Sequence, residues 1–223
     1  MTSPIAPLDR DLAAARAEMV YDQLLRRGIA DERVLQAMAR VPRERFVAPE
    51  LAAAAYADNP QTINFGQTIS QPYVVARIAE LLVLTGGERV LDVGAGSGYQ
   101  AAVLAELVPA GQVFAVERIA ELAAAASARL HALGYRIAVS CQDGSCGWPD
   151  NAPYDAIAVA AGAPTVPAPL LAQLRDGGRL VIPLGPMDSQ RLTVVHRRGS
   201  EYKLVGDVRV RFVPLIGEHG FSG

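Results

Sequence analysis

Apolar residues along this chain recur with two periods, and the change between them marks the elements. Over residues 9–27 an alanine-rich run carries Leu12, Met19, Leu24 and Leu25 at helical positions, with Gly28 placed as a C-cap. Asp31 stands where it can cap a second helix through Val34, Leu35 and Met38, which must stop before Pro42. "ELAAAAY" reads as a short third helix, and residues 1–8 as an irregular start. Residues 57–72, "ADNPQTINFGQTISQP", break the pattern, and a connection that long raises the expectation of a functional loop. Pro72 then opens a helix whose core face is Val74, Val75, Ile78, Leu81 and Leu82.

After Thr85-Gly86-Gly87, strand and helix patterns alternate. Val90–Val93 reads as a buried strand, "YQAAVLAELV" as a helix, and Gln112 to Val116 as a strand ending in Glu117. A helix to about Leu133 closed by Gly134, strands at "RIAVSC" and "DAIAVAA", a helix from Pro167 to Leu174 and a strand at "RLVIPLG" follow. The last two β runs, "RLTVVHRR" and "YKLVGDVRVRFVPL", have no helix between them. Such an order predicts an α/β fold with a mostly parallel sheet covered on both faces and closed by an antiparallel edge.

Composition narrows the function classes. At 223 residues the chain can form one sizeable α/β domain. Folding then buries roughly 70% of the unfolded surface, so no metal or disulfide staple is required. The net charge of −2 gives no sign of a nucleic-acid surface. No apolar run approaches membrane-spanning length, and "MTSPIAPLDRDL" lacks a basic-then-apolar leader, so a cytoplasmic chain is expected. Cys141 and Cys146 have no second pair to make a zinc pattern; they read as a buried thiol and a loop thiol. His131, His196 and His219 occur singly, so no metal is expected. Arg40, Arg43 and Arg45, like Arg197 and Arg198, read as solvated faces.

The candidate chemistry centres on "VLDVGAGSGYQ", a strand, a glycine turn and a helix start. A dinucleotide fingerprint places its third glycine at position 99, which is Tyr99 here; the motif is G-x-G-x-G through Gly94, Gly96 and Gly98. That spacing resembles the S-adenosylmethionine site of class I methyltransferases, where no pyrophosphate is cradled; the plainer alternative is a tight turn with no ligand. Glu117, about 20 residues on at the next strand tip, is placed to accept from ribose hydroxyls, or else to cap the following helix through its dipole.

"QLLRRGIADERVLQAMARVPRERFV", "GQTISQPYVVA", "VLDVGAGSGYQAAVLA", "DGSCGWPDNAPYDAI", "QLRDGGRLVIPLG" and "FVPL" follow one another in this order. Together they resemble the protein-L-isoaspartate O-methyltransferases over about residues 19 to 215. The resemblance implies a class I methyltransferase fold: a seven-stranded, mostly parallel sheet with a reversed last strand, residues 1–56 as an N-terminal helical extension and 57–223 as the methyltransferase domain. It implies S-adenosyl-L-methionine as cofactor and L-isoaspartyl residues of damaged proteins as substrate. The methyl ester formed there cyclises to a succinimide that can reopen to aspartate. The chain departs from the family's usual residues at Asp92, Ala95, Asn64-Phe65, "CQDG" and "VAAGAP", and Phe65 is placed to narrow the substrate entrance.

By the same resemblance, Ser70 is the active-site serine, assisted by Thr68 and Gln71. Asp92 takes the methionine amino group beside Gly94, Gly96 and Gly98. Glu117 takes the ribose, Asp143 and Gly144 the adenine, and Gln190 lies near the cofactor. Plainer readings stand beside these: Ser70 as an N-cap ahead of Pro72, Asp143 as an Asp-Gly turn carboxylate, Gln190 as a solvated loop residue. The chemistry suits the loop. A carboxylate nucleophile, with a reference pKa of roughly 4, is already ionised near neutrality and needs no base. The loop offers Gln67, Thr68, Ser70 and Gln71 but no titratable side chain between them. Ser70 then serves alignment rather than acyl transfer, since no G-x-S-x-G surrounds it. Two other functions remain open: methylation of a different carboxylate, in a metabolite or peptide, and a non-catalytic module that binds the cofactor. A monomer is the working expectation.

Overall fold

The computed structural model describes residues 7–222. Helix α1 (Pro7–Glu18) runs into a π-helical turn at Met19–Leu24 and a 3-10 turn at Leu25–Arg27, closed by Gly28 in the left-handed region. The change of pitch rephases the face: Met19 and Leu24 are buried, but Leu25, expected inside, is 47% exposed. The irregular start expected over residues 1–8 lies mostly outside the described residues, and the helix already begins at Pro7. Asp31 caps α2 (Glu32–Arg40) by accepting from the Arg33 N–H. The expected third helix is a 3-10 stretch, Pro49–Ala54.

Residues 57–72 are more ordered than their composition predicts. β1 (Gln61–Thr62) pairs antiparallel with β2 (Thr68–Ile69), and a two-residue turn at Phe65-Gly66 joins them. The Gln67 N–H donates to Asn64 O at 3.3 Å, and the Ile63 N–H to Gln67 O at 2.9 Å. Both central residues have positive φ, +61° at Phe65 and +68° at Gly66, the handedness that matches strand twist in a hairpin. Helix α3 (Pro72–Leu82) follows; its N-cap residue Gln71 makes no side-chain cap, and Ser70 lies one residue before it.

The main sheet holds seven strands in the order β5-β4-β3-β6-β7-β8-β9. They are β3 (Arg89–Val93), β4 (Gln112–Glu117), β5 (Ala138–Cys141), β6 (Tyr154–Val159), β7 (Leu174–Leu184), β8 (Gln190–Arg198) and β9 (Glu201–Val210). Helices α4 (Tyr99–Leu107), α5 (Ala120–Ala132) and α6 (Ala168–Gln173) make the crossovers. The first five strands are parallel; β8 runs against β7, and the last strand, β9, is reversed against β8. Gly177 and Gly178, expected to turn into β7, lie within it, where its pairing with β6 shifts register.

Period-two alternation serves both faces. Val90, Ala115, Ala156, Ala158 and Val181 join the core built with α3, α4 and the N-terminal helices. Leu91, Val93, Phe114, Val116, Ile157, Val159 and Leu180 point into the second core. The chain steps outward from β3 through β4 to β5, then returns to β6 on the other side. A sheet that reverses its order this way leaves a crevice at the carboxyl ends of its central strands.

Phe65 departs from the turn chemistry. Left-handed backbone costs a side-chain-bearing residue about 1–2 kcal/mol, and asparagine pays less than phenylalanine. The ring is 54% exposed and so gains little packing in return. Phe65→Asn should raise Tm by about 2–4 °C, the shift expected for roughly 1 kcal/mol in a chain of this size. Scanning calorimetry measures this, and an unchanged or lower Tm would mean the ring contributes packing that offsets the turn.

Candidate functional site

The carboxyl ends of β3, β4 and β6 and the hairpin enclose one pocket. Its wall includes Gly94, Ala95 and Gly96 after β3, Val116 to Arg118 at the tip of β4, and Ala160-Ala161 after β6. Gln67, Thr68, Ile69 and Ser70 close it from above, and Val213 to Ile216 from the side. The glycine loop follows from local need. Gly94, Gly96 and Gly98 all have positive φ, so the chain can leave the strand, turn beside the pocket and enter α4 within five residues, with the Gly94 and Ala95 N–H groups donating to the Val116 carbonyl. Gly98 faces away from the pocket: a Cβ there would meet Leu130 at 3.2 Å, so this glycine serves the approach of α5.

Glu117 locks the loop in place. It is 7% exposed; its Oε2 accepts from the Gly96 N–H at 2.9 Å and its Oε1 from the Ile119 N–H at 3.0 Å. Each oxygen keeps a second lone pair free for a ligand hydroxyl. Asp92 lies beneath the pocket, fully buried. Its Oδ1 accepts from Gln100 Nε2 at 2.6 Å, while Asp92 Oδ2 and Gln100 Oε1 have no donor. Burial, with the nearby Glu117 charge adding and the Gln100 bond opposing, pushes the Asp92 carboxyl up to about 7. Gln100 itself lines the pocket, while Asp92 is outside the wall and bonded to it through Gln100. A sequence-only view passes over Gln100, although it follows the motif directly.

The hairpin end is held by a guanidinium. Arg43, expected on a solvated face, is 0% exposed. It donates from Nε to Ala55 O at 2.7 Å and from Nη2 to the carbonyl of Ser70 at 2.8 Å, and sits 4.8 Å from the centre of the Tyr99 ring. The available signal is spacing: Arg43 and Phe46 fall three apart in a 3-10 turn, which puts them on one face, and Phe46 is core. Arg40 and Arg45 are exposed as expected. Arg197 is half-buried, donating to Leu174 O, while Arg198 is exposed.

The remaining expected residues divide. Thr68 and Ser70 line the pocket. Gln71 lies on a neighbouring groove, its Nε2 donating to Asp58 Oδ1 at 2.7 Å, and Arg27 pairs with the same carboxylate at 3.0 Å. Phe65, expected at the entrance, is on the hairpin tip and outside the pocket wall. Gly144 lines the pocket, but the Asp143 carboxylate turns to protein donors: Oδ1 accepts from Ser145 N and Oγ at 2.8 and 2.7 Å, Oδ2 from Glu218 N at 2.8 Å. Burial opposes ionisation of Asp143, and these bonds outweigh it, holding the group below its ordinary value. Gln190 is neither solvated nor in the wall. It is 2% exposed, accepting from Phe212 N at 2.8 Å and donating to Pro186 O at 2.6 Å. Cys141 is exposed rather than buried. Among the described residues, Cys146, after β5, and Glu218 and His219, near the C-terminus, bring three ligand-type atoms within 4.8 Å of one another, outside the pocket. Spacing did not indicate this proximity, because the fold creates it.

Comparison with known proteins gives the family. The family model described as protein-L-isoaspartate(D-aspartate) O-methyltransferase matches residues 15–220. A Marinobacter nauticus protein named protein-L-isoaspartate O-methyltransferase 2 is 55% identical over 95% of this chain and 97% of its own. A Methylorubrum populi protein-L-isoaspartate O-methyltransferase is 54% identical over 94% and 99%. Among solved structures, a protein-L-isoaspartate O-methyltransferase superposes with a TM-score of 0.82 at 28% identity, covering 92% of this chain and 67% of that one. A Plasmodium falciparum structure assigned to the same activity, in complex with S-adenosyl-L-homocysteine, gives 0.76 at 25% identity, covering 90% and 98%.

Two measurements probe the site's framework. Arg43→Met leaves the carbonyls of Ala55 and Ser70 without their donor and should destabilise the chain by roughly 2–5 kcal/mol in denaturant titration, with Arg43→Lys intermediate. A loss below 0.5 kcal/mol would remove the guanidinium from this role. For Asp92, the folded value of about 7 exceeds the ordinary 3.8. Between those values the folded chain holds the extra proton, so raising the pH favours unfolding, and the effect levels off above about 7. Asp92→Asn should therefore gain stability relative to the parent as pH rises from about 4 to 7. A pH-independent difference between the two proteins would contradict the raised value.

Proposed function

The chain belongs to the protein-L-isoaspartate(D-aspartate) O-methyltransferase family, and from that premise we propose how its pocket carries the reaction. It methylates L-isoaspartyl residues of proteins with S-adenosyl-L-methionine as cofactor. When bound, that cofactor supplies a methyl group on a positively charged sulfonium beside a free amino group. Asp92 and Gln100 fit the amino group. They present two buried acceptors without a donor, and an ammonium is the donor they lack. Its charge also favours the ionised form of Asp92, against the burial that disfavours it. The free lone pairs of Glu117 suit ribose hydroxyls, while the backbones of Gly94, Gly96 and Gly144 leave room for the cofactor's flat and extended parts.

The observation that carries the catalytic assignment is shared enclosure: Ser70 and Thr68 stand in the same pocket wall as Glu117 and the glycine loop. Their hydroxyls can donate to an isoaspartyl carboxylate and hold one of its oxygens in line with the methyl group. No proton needs to be removed, because the carboxylate is ionised already. The hairpin covers the site and excludes water, which strengthens the attraction between carboxylate and sulfonium before their charges cancel. Arg43 acts through the Ser70 backbone and is a positioning residue. Gln71, turned to Asp58, secures the hairpin base. Asp143 and Gln190 support the wall from behind through Ser145, Glu218 and Phe212.

The proposal extends to a monomeric, cytoplasmic enzyme acting on damaged polypeptides, without nucleic acid or membrane as partner. The net charge of −2 gives no sign of a nucleic-acid surface, and among the described residues no helix is long and apolar enough to cross a membrane. It also treats residues 1–56 as a helical extension of the methyltransferase unit 57–223, since Arg43 joins the two at Ser70.

Incubation with methyl-labelled S-adenosyl-L-methionine should label an isoaspartyl peptide and not its aspartyl twin. Equal labelling of both would defeat the substrate assignment. Ser70→Ala should lower kcat by roughly 10- to 100-fold, the effect of losing alignment, with a smaller change in KM for the cofactor. Unchanged kcat would move the aligning role elsewhere.

A further inference from the structure

From Ser70 a second groove leads away from the glycine loop. It shares Thr68, Ser70, Ala160, Val213 and Pro214 with the pocket, so the two are continuous. The end of β9 and the segment after it form one wall, with Arg209, Arg211 and Phe212; Met187 and Asp188, from the β7–β8 turn, stand in another. Arg209 and Arg211 are exposed, and among the described residues neither has a carboxylate partner. The cross-strand neighbour of Arg209 is Arg191, also exposed, whose guanidinium reaches only the backbone carbonyl of Asp207 at 2.9 Å. The Asp207 carboxylate, the nearest in sequence, is held by Arg77 at 2.7 and 2.8 Å.

Like charges opposite one another on a strand pair destabilise it, and three arginines gather here on a chain whose net charge is −2. Asp188 is the single acidic residue on the groove. The cluster therefore concentrates excess positive charge along a groove continuous with the proposed reacting position.

We propose that this groove receives the polypeptide flanking the isoaspartyl residue, and that Arg209 and Arg211, backed by Arg191, select acidic side chains beside it. The inference rests on the placement of the reacting carboxylate at Ser70. Guanidinium forks match aspartate and glutamate carboxylates in geometry as well as charge. Met187, 56% exposed, and Phe212 provide apolar surface for the intervening chain. Because the arginines are exposed, the discrimination is modest: two such pairs correspond to about a three- to tenfold preference.

The test uses three isoaspartyl peptides that differ only in the two residues flanking the isoaspartyl position: glutamates, glutamines or lysines. With the full chain and S-adenosyl-L-methionine at low salt, kcat/KM should fall in the order glutamate, glutamine, lysine. The order should flatten at 0.5 M salt (about a 4 Å screening length). The exposed double variant R209E/R211E should reverse it. A flat or inverted order in the parent, or an unchanged order in the double variant, overturns the proposal while leaving isoaspartyl methylation intact. Failure to methylate any of the three peptides removes the premise at Ser70 and the proposal together.

Discussion

The site depends on one carboxylate that ties a glycine-rich loop to the neighbouring strand and helix. Gly94, Gly96 and Gly98 gain conformational freedom from lacking Cβ atoms, and an unanchored loop of that kind would sample many shapes. Glu117 limits that freedom by accepting the Gly96 N–H at 2.9 Å from the neighbouring strand tip, beside the Val116 carbonyl, which accepts from Gly94 and Ala95 at 2.9 and 3.0 Å. The same carboxylate accepts from Ile119 at the entry to α5, so strand, loop and helix start are tied at one point. The register of β3 against β4 and β6 then sets where the pocket opens, and the hairpin above it has a fixed floor to close upon.

Two acidic residues near one cavity give it a defined electrostatic character. Asp92 and Glu117 repel, and burial makes the deeper of the two reluctant to ionise. A cation entering from the pocket relieves both effects, whereas a neutral or anionic molecule relieves neither. Selectivity for a positively charged cofactor is thus built in before any shape complementarity is considered. The mouth of the adjoining groove has the opposite sign, through Arg209 and Arg211. On the proposed reading, the two reactant-bearing molecules would meet between regions of opposite charge.

Much of this was legible in the sequence where a local rule applied. The Asp31 cap, the strand ending in Glu117, the glycine spacing and the helix begun by Pro72 each follow from neighbours within a few residues. Side-chain direction was legible only where burial period fixed it. Arg43 reads as a surface arginine because its acceptors, Ala55 and Ser70, lie 12 and 27 residues away. Gln190 behaves alike, since its partner Phe212 is distant in sequence; Asp143 has a local partner in Ser145, as a turn carboxylate would, and only its bond to Glu218 is hidden from the sequence. The 57–72 stretch hid a hairpin because Phe65 occupies a turn position that ordinarily announces itself with glycine or asparagine.

The contact between Asp143 and the backbone of Glu218 spans 75 residues, and Val213 to Ile216 form part of the pocket wall. During synthesis the ribosome releases the glycine loop long before that segment. A nascent chain can therefore complete β3, β4 and the turn between them while still lacking a closed chamber. Competence to hold a ligand arrives with the late-made stretch, so a partly translated copy is unable to sequester cofactor.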